Sequence, residues 1–140
     1  MTKKEKLEAL NQMAKNTLME TLNISITDVG DDFIEGTMPV NAKVHQPYGI
    51  LHGGANIALA ETLGSYLSAF NVDMTKHKAV GMQMNANHLR PKREGVVIGR
   101  AEFVKKGRTV HLVKIEISDE SGKMLCYCHL TNAIVSNEYV

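Results

Sequence analysis

The segment from 53 to 70, GGANIALAETLGSYLSAF, constrains the fold more than any other part of the chain. It lacks proline and is rich in Ala and Leu, so it reads as one helix. Apolar or small residues run almost all round it: Ala55, Ile57, Ala58, Leu59, Ala60, Leu63, Leu67 and Phe70. A helix apolar on every side belongs in an interior. Gly64, Ser65, Ser68 and Ala69 are small enough to let other backbone come close. The rest of the chain must supply a surface that covers this helix.

The neighbouring segments read as strands. Residues 23–29 alternate Ile24 and Ile26 with polar residues, 30–32 form a turn, and 33–40 make the second arm of a hairpin. A loop marked by Pro47 and Gly49 spans 41–51. After a polar loop come four more strands, at 78–89, 96–106, 109–118 and 124–135, with turn signals between them. Upstream, 2–18 reads as an amphipathic helix on the outside of the domain. Thr2 and Glu5 offer a capping box there, and Leu7, Leu10, Met13 and Ala14 recur at helical spacing. Strands grouped beside one helix mean an α+β fold with an antiparallel sheet curved around that helix. At 140 residues without repeats or linkers, one domain over 1–140 is expected.

Composition narrows the functions. The net charge of +1 gives no global field for nucleic acid or an anionic membrane. No run of about 18 apolar residues is present, so no membrane-spanning helix is expected. The start, MTKKEKLEAL, has no signal-peptide core, which makes the cytoplasm the expected compartment. Cys126 and Cys128 lie two apart in a strand, on one face, where a disulfide would distort the backbone. They are expected to be small strand residues in a reducing compartment, and no ligand set for a metal accompanies them.

Two features of the central helix carry chemistry. His52-Gly53-Gly54 stands where it begins. The first N–H groups of a helix lack internal partners and carry the positive end of its dipole, so they can hold an anionic oxygen. The same glycines could simply shape a tight turn. Glu61 is the only charged side chain between Gly53 and Phe70. An unpaired buried carboxylate is expensive, so it is either a working group or a paired or solvent-facing structural one. Ser65 lies one turn on, where it can orient Glu61 or a water. Gly53 and Glu61 are roughly 12 Å apart along a helix, so one carbonyl cannot easily meet both within one chain. Two antiparallel copies of the helix would bring them together, twice, in a two-fold homodimer. Further on lie Arg90, Lys92, Arg93, Arg100, Lys105, Lys106 and Arg108, most of them near two turns. They are either solvated turn charges or a phosphate-binding surface. No phosphate loop, nucleophile elbow, HExxH or dinucleotide fingerprint occurs.

QPYGILHGG followed by AETLGS, with VGMQMNANHLR and the KKGR turn, resembles the acyl-CoA thioesterases of the phenylacetate-degradation type, in the hot-dog superfamily. The closer similarity is to the branch acting on 4-hydroxybenzoyl-CoA and 1,4-dihydroxy-2-naphthoyl-CoA. That branch carries Q-P-[FY]-G-x-x-H-G-G and A-E-[ST]-x-G-S. The resemblance implies a hot-dog fold and hydrolysis of an acyl-CoA to free acid and CoA. CoA is then part of the substrate, and no further cofactor is needed. It implies Glu61 as nucleophile or general base, Gly53 as donor to the thioester oxygen, Gln46 and His52 at the reaction centre, and Ser65 as a water-placing group. Gly81, His88, Leu89, Arg90 and Pro91 would contact CoA or the acyl group. So would Lys105, Lys106, Gly107, Arg108, Thr109 and Val110. Related branches carry Asp at the Glu61 position, which favours an aryl-CoA substrate here. Pro91 departs from a Ser found in some relatives and removes one hydrogen bond. The resemblance also implies a homotetramer of paired dimers. A broad-range acyl-CoA thioesterase, a non-catalytic acyl-CoA-binding module and a hot-dog hydratase are the competing readings. A hydratase would pair Asp with His in one motif, and no such pair adjoins Glu61.

Overall fold

The computed structural model describes residues 1–139. Helix α1 (Lys3–Gln12) and the short α2 (Leu18–Thr21) precede strands β1 (Ser25–Val29) and β2 (Phe33–Val40). A 3-10 turn (Ala42–Val44) leads to α3 (Gly53–Ala69). Strands β3 (His77–His88), β4 (Gly95–Lys106), β5 (Val110–Ser118) and β6 (Met124–Ser136) follow. The six strands form one antiparallel sheet in the order β1-β2-β4-β5-β6-β3. No helix among the described residues is long and apolar enough to cross a membrane.

Alternation sets which face of the sheet is inside. Every second residue of β2 and β5 is buried, the pattern of strands with one covered face. The cover is α3, which packs on β2 through β6. Leu59, Leu63 and Leu67 of α3 share one core with Val97, Val113, Ile115 and Leu130, and all are almost fully buried.

Absent side chains set how close the helix lies. Gly36 and Gly99 are register partners on β2 and β4. A Cβ on Gly36 would fall 2.8 Å from Leu63 Cδ2, and one on Gly99 would fall 2.6 Å from Leu63 Cδ1. Leu63 therefore seats its two methyls in a hole made by paired glycines. The reverse fit occurs at Gly64, where a Cβ would meet Leu130 Cδ2 at 2.7 Å.

The N-terminal segment departs from the expected single helix over 2–18. The capping box forms, with Glu5 N donating to Thr2 Oγ1 at 3.1 Å and Thr2 N to Glu5 Oε2 at 2.7 Å. The helix nevertheless ends at Gln12, because Asn16 turns the chain at φ 61°. Asparagine tolerates that left-handed conformation better than most residues. Asn11 exchanges two hydrogen bonds with the Ile26 backbone, at 2.8 and 2.9 Å, and fixes α1 to β1. After the turn, α2 places Met19 against the Tyr66 hydroxyl of α3 at 3.1 Å.

At the far edge of the sheet, β3 has no fully buried residue. Its register with β6 shifts between Gly81 and Gln83, and Met82 is 63% exposed there.

A methyl at position 99 tests the glycine fit. Gly99→Ala should destabilise the protein by about 1–3 kcal/mol, the usual range for overpacking a filled core. The measurement is the shift in urea midpoint at unchanged slope.

Candidate active site

The loop after β2 is a tight turn. Gln46 N donates to Ile50 O at 2.8 Å, Gly49 N to Gln46 O at 2.9 Å, and Gly49 has a φ of 75°. Tyr48 N–H donates to Gln46 Oε1, so the free end of the Gln46 amide is its Nε2 donor. Two backbone bonds tether the loop: Leu51 N to Lys92 O at 2.7 Å and His52 N to Val44 O at 2.8 Å. They deliver His52 to the N-cap of α3, where its Nδ1 accepts from Gly54 N at 2.8 Å. Gly53 is then the first helical residue, with an N–H that has no acceptor within the helix.

This N-terminus opens on a cleft of about 390 Å³. The cleft gathers Gln46, Gly53, His88, Leu89, Arg90 and Pro91, all singled out in the sequence. His52 is not among its lining residues, because its ring caps the helix instead. His88 Nε2 lies 2.9 Å from where a Gly53 Cβ would stand, so the glycine lets an imidazole lie against the helix start. The other ring nitrogen of His88 approaches Cys126 Sγ at 3.6 Å. Cys126 and Cys128 are free, buried and 3.5 Å apart. The hydrogen bond from the Cys128 thiol holds the Cys126 pKa below its usual value.

Asn56 also lines this cleft and was not foreseen. It is 5% exposed, and its Oδ1 has no hydrogen-bond partner in the protein. The signal was present in the sequence: a polar amide in an apolar helix is as anomalous as Glu61.

Glu61 and Ser65 lie elsewhere. They face a second hollow, of about 490 Å³, with Ile57, Ala58, Thr62 and Tyr66 of α3 and Leu18 of α2. In one chain the sheet covers only one side of α3, so this opposite side is open and Glu61 is exposed. The solvent-facing alternative for Glu61 thus describes the single chain. Glu61 Oε1 sits 3.0 Å from the Cβ position of Gly81 on β3. Gly81 is a notch that leaves room for the carboxylate.

The basic turns separate into different roles. Lys106, Gly107, Arg108 and Thr109 line a third depression of about 590 Å³ with His77 and His111. Lys105 and Val110 are exposed but lie outside that lining. Lys92 is ion-paired with Glu120. Arg100 is likewise paired with Glu35 at 2.7 Å and Glu102 at 2.6 Å and stacks on Phe33. Arg90 reaches the first cleft.

Residues 48–126 match the Thioesterase superfamily. The chain belongs to this family. It is 42% identical to the 1,4-dihydroxy-2-naphthoyl-CoA hydrolase of Escherichia coli, over 92% of this chain and 94% of that protein. A thioesterase of Pseudomonas aeruginosa, crystallised as a glutamine-to-alanine mutant, superposes with a TM-score of 0.91 at 42% identity, covering 93% of this chain and 94% of the other. A thioesterase of Staphylococcus aureus has been solved with a glutamate replaced by alanine (TM-score 0.83, 39% identity, 85% of this chain and 98% of the other). It has also been solved with a glutamine replaced (TM-score 0.82, 39%, 84% and 97%). The antiparallel sheet packed on one helix is the hot-dog fold of these thioesterases, and this protein is a thioester hydrolase.

The Gly81 notch yields a prediction for this thioesterase. Gly81→Val should displace the Glu61 carboxylate while leaving the core intact, since β3 is a solvent-exposed edge. On the role proposed for Glu61 below, thioester hydrolysis should fall by at least about tenfold, as misplacing a reacting group by an ångström is costly. Thiol release and thermal melting, measured side by side, check this.

Proposed function

We propose that this thioesterase hydrolyses an acyl-CoA at sites shared between two copies of the chain, with Glu61 as the base or nucleophile. The observation that carries this reading is the separation of the parts. Gly53 and Gln46 open on one hollow, and Glu61 and Ser65 on another. An antiparallel pair of α3 helices joins one chain's first hollow to the other chain's second. The exposed β3 edge supports such a pairing, because the outer side of an edge strand offers backbone donors and acceptors to its own copy. The open, largely apolar side of α3 would be covered at the same time. Two such homodimers pair in the proposed homotetramer.

The chemistry follows from the groups present. The Gly53 N–H and the free Nε2 of Gln46 polarise the thioester carbonyl. Glu61 attacks the carbonyl carbon directly, forming a mixed anhydride, or takes a proton from water that does so. The CoA thiolate is a good leaving group and needs little acid assistance. Ser65 lies one turn from Glu61 in the same hollow, where it can hold the water. Supporting Gln46 and Glu61 as the working pair, the two positions replaced by alanine in the Staphylococcus aureus thioesterase are separated by the same number of residues as Gln46 and Glu61.

The proposed substrate is 1,4-dihydroxy-2-naphthoyl-CoA, the substrate in the name of the Escherichia coli relative. A panel of acyl-CoA thioesters followed by thiol release tests this. Equal rates on aryl and short aliphatic substrates would replace it with a broad-range role. The depression beside Lys106 and Arg108 is assigned to CoA phosphates. Removing the Arg90, Lys106 and Arg108 charges should raise KM more than it lowers kcat, and less so for a substrate truncated at pantetheine.

Glu61→Gln keeps shape and removes basicity. Its rate on an aryl-CoA under single-turnover conditions should fall by at least about 100-fold with binding retained. Mixing Glu61→Ala chains with chains disrupted at Gly53 should restore part of the activity, because a hybrid dimer holds one intact site. A fully active monomer in sedimentation, or a Glu61→Gln variant at the parent rate, would overturn the reading.

A further inference from the structure

Between α3 and strands β5 and β6 runs a chain of buried polar groups that the proposed mechanism does not use. Ser68 of α3 is fully buried, as is Asn132 of β6, and His111 of β5 is 2% exposed. Asn132 Nδ2 donates to Ser68 Oγ at 2.8 Å and to Gly64 O at 3.2 Å. Ser68 Oγ lies 3.0 Å from His111 Nδ1. Having accepted from Asn132, Ser68 turns its one hydrogen to that nitrogen. Burial, and then the charge of Lys106, hold the His111 pKa below its usual value, so the ring is neutral and can accept. The His111 ring also hydrogen-bonds the Gly107 backbone. The chain thus starts at the basic turn and ends at Asn132.

Its end is unfinished. Asn132 Oδ1 is buried with no hydrogen-bond partner. Exchanging the amide's oxygen and nitrogen does not cure this, because the Gly64 carbonyl can only accept, so nitrogen must face it. Buried polar atoms are paired in nearly all cases, and an orphan asks for a partner that comes and goes. The position of Oδ1 says which one. Asn132 is the register partner of Gly81. The Cβ position of Gly81 lies 3.9 Å from Asn132 Oδ1 and 3.0 Å from Glu61 Oε1, so both oxygens flank the same notch. An ionised Glu61 has no hydrogen to give to Oδ1. A protonated Glu61 has one, and the notch the two oxygens share is where it would be given.

We propose that Asn132 is a positioning residue for Glu61, its Oδ1 receiving the hydrogen bond of the Glu61 carboxyl while that carboxyl carries the proton taken from water. This rests on the assignment of Glu61 as base. In the step, water gives a proton to Glu61 and its oxygen bonds to the thioester carbon. The carbon–sulfur bond then breaks, and the Glu61 proton passes to the departing thiolate, leaving free acid and thiol. The Ser68–His111 chain holds the amide so that only its oxygen faces the notch, ready before the proton arrives.

The test is a double-mutant cycle on the full-length protein, with thiol release from an acyl-CoA as readout. Asn132→Leu should lower kcat by about tenfold, the value of one hydrogen bond made only in the transition state, with KM within about twofold. In a Glu61→Ala background, which leaves no hydrogen-bond donor at that position, the same substitution should change the residual rate by less than about twofold, because the group it serves is gone. Asn132→Ala, measured in parallel, gives the same comparison if the leucine variant does not fold. Equal losses in both backgrounds, or an unchanged kcat in the folded variants, would overturn the inference and leave Glu61 as base. A parent whose hydrolysis is insensitive to Glu61→Gln would overturn the assignment of Glu61 itself, and this inference with it.

Discussion

The close fit of α3 on the sheet is the constraint on which the rest depends. Leu63 sits in the hole left by Gly36 and Gly99, and Leu130 sits against Gly64. Close packing of this kind feels the addition or removal of even one methylene. It fixes the depth, the rotation and the axial position of the helix together. Each functional group on α3 inherits its place from that fit. Gly53 is presented at one end, Glu61 outward over β3, and Ser68 inward onto His111.

A helix held so firmly on one side leaves its other side available. That side carries Ile57, Ala58 and Tyr66 beside Glu61 and Ser65, a mixture that suits neither solvent nor a closed core. An apolar surface with a carboxylate at its centre fits a boundary that another copy covers. The same division explains how Glu61 can be the lone charge of an apolar helix without being an unpaired buried one within a chain. Its burial, in the proposed assembly, arrives with the second copy and the substrate.

Charges elsewhere sort by partnership. Arg100 and Lys92 are held by carboxylates and serve the sheet and its turns. Lys106 and Arg108 border a hollow, and Arg90 borders another. The sequence shows all of these only as a basic stretch. Cross-strand register sets Arg100 opposite Glu35, and two neighbouring turns bring Lys92 to Glu120.

The sequence by itself determined the α+β class, the six strands in order, the central helix and the oddity of Glu61 within it. These are local properties: periodicity, propensity and one charge among apolar neighbours. Motif resemblance added the thioesterase family. The continuous helix expected over 2–18 failed at Asn16, where a single left-handed residue outweighs an apolar repeat. Only the tertiary structure decided that His52 caps α3, that Asn56 joins the cleft, and that Gly81 is a notch for Glu61. It alone placed Asn132 beside that notch. Each of these is a relation between residues far apart in the chain. It is set by strand register and by which face of a helix meets the sheet, and no local pattern encodes either.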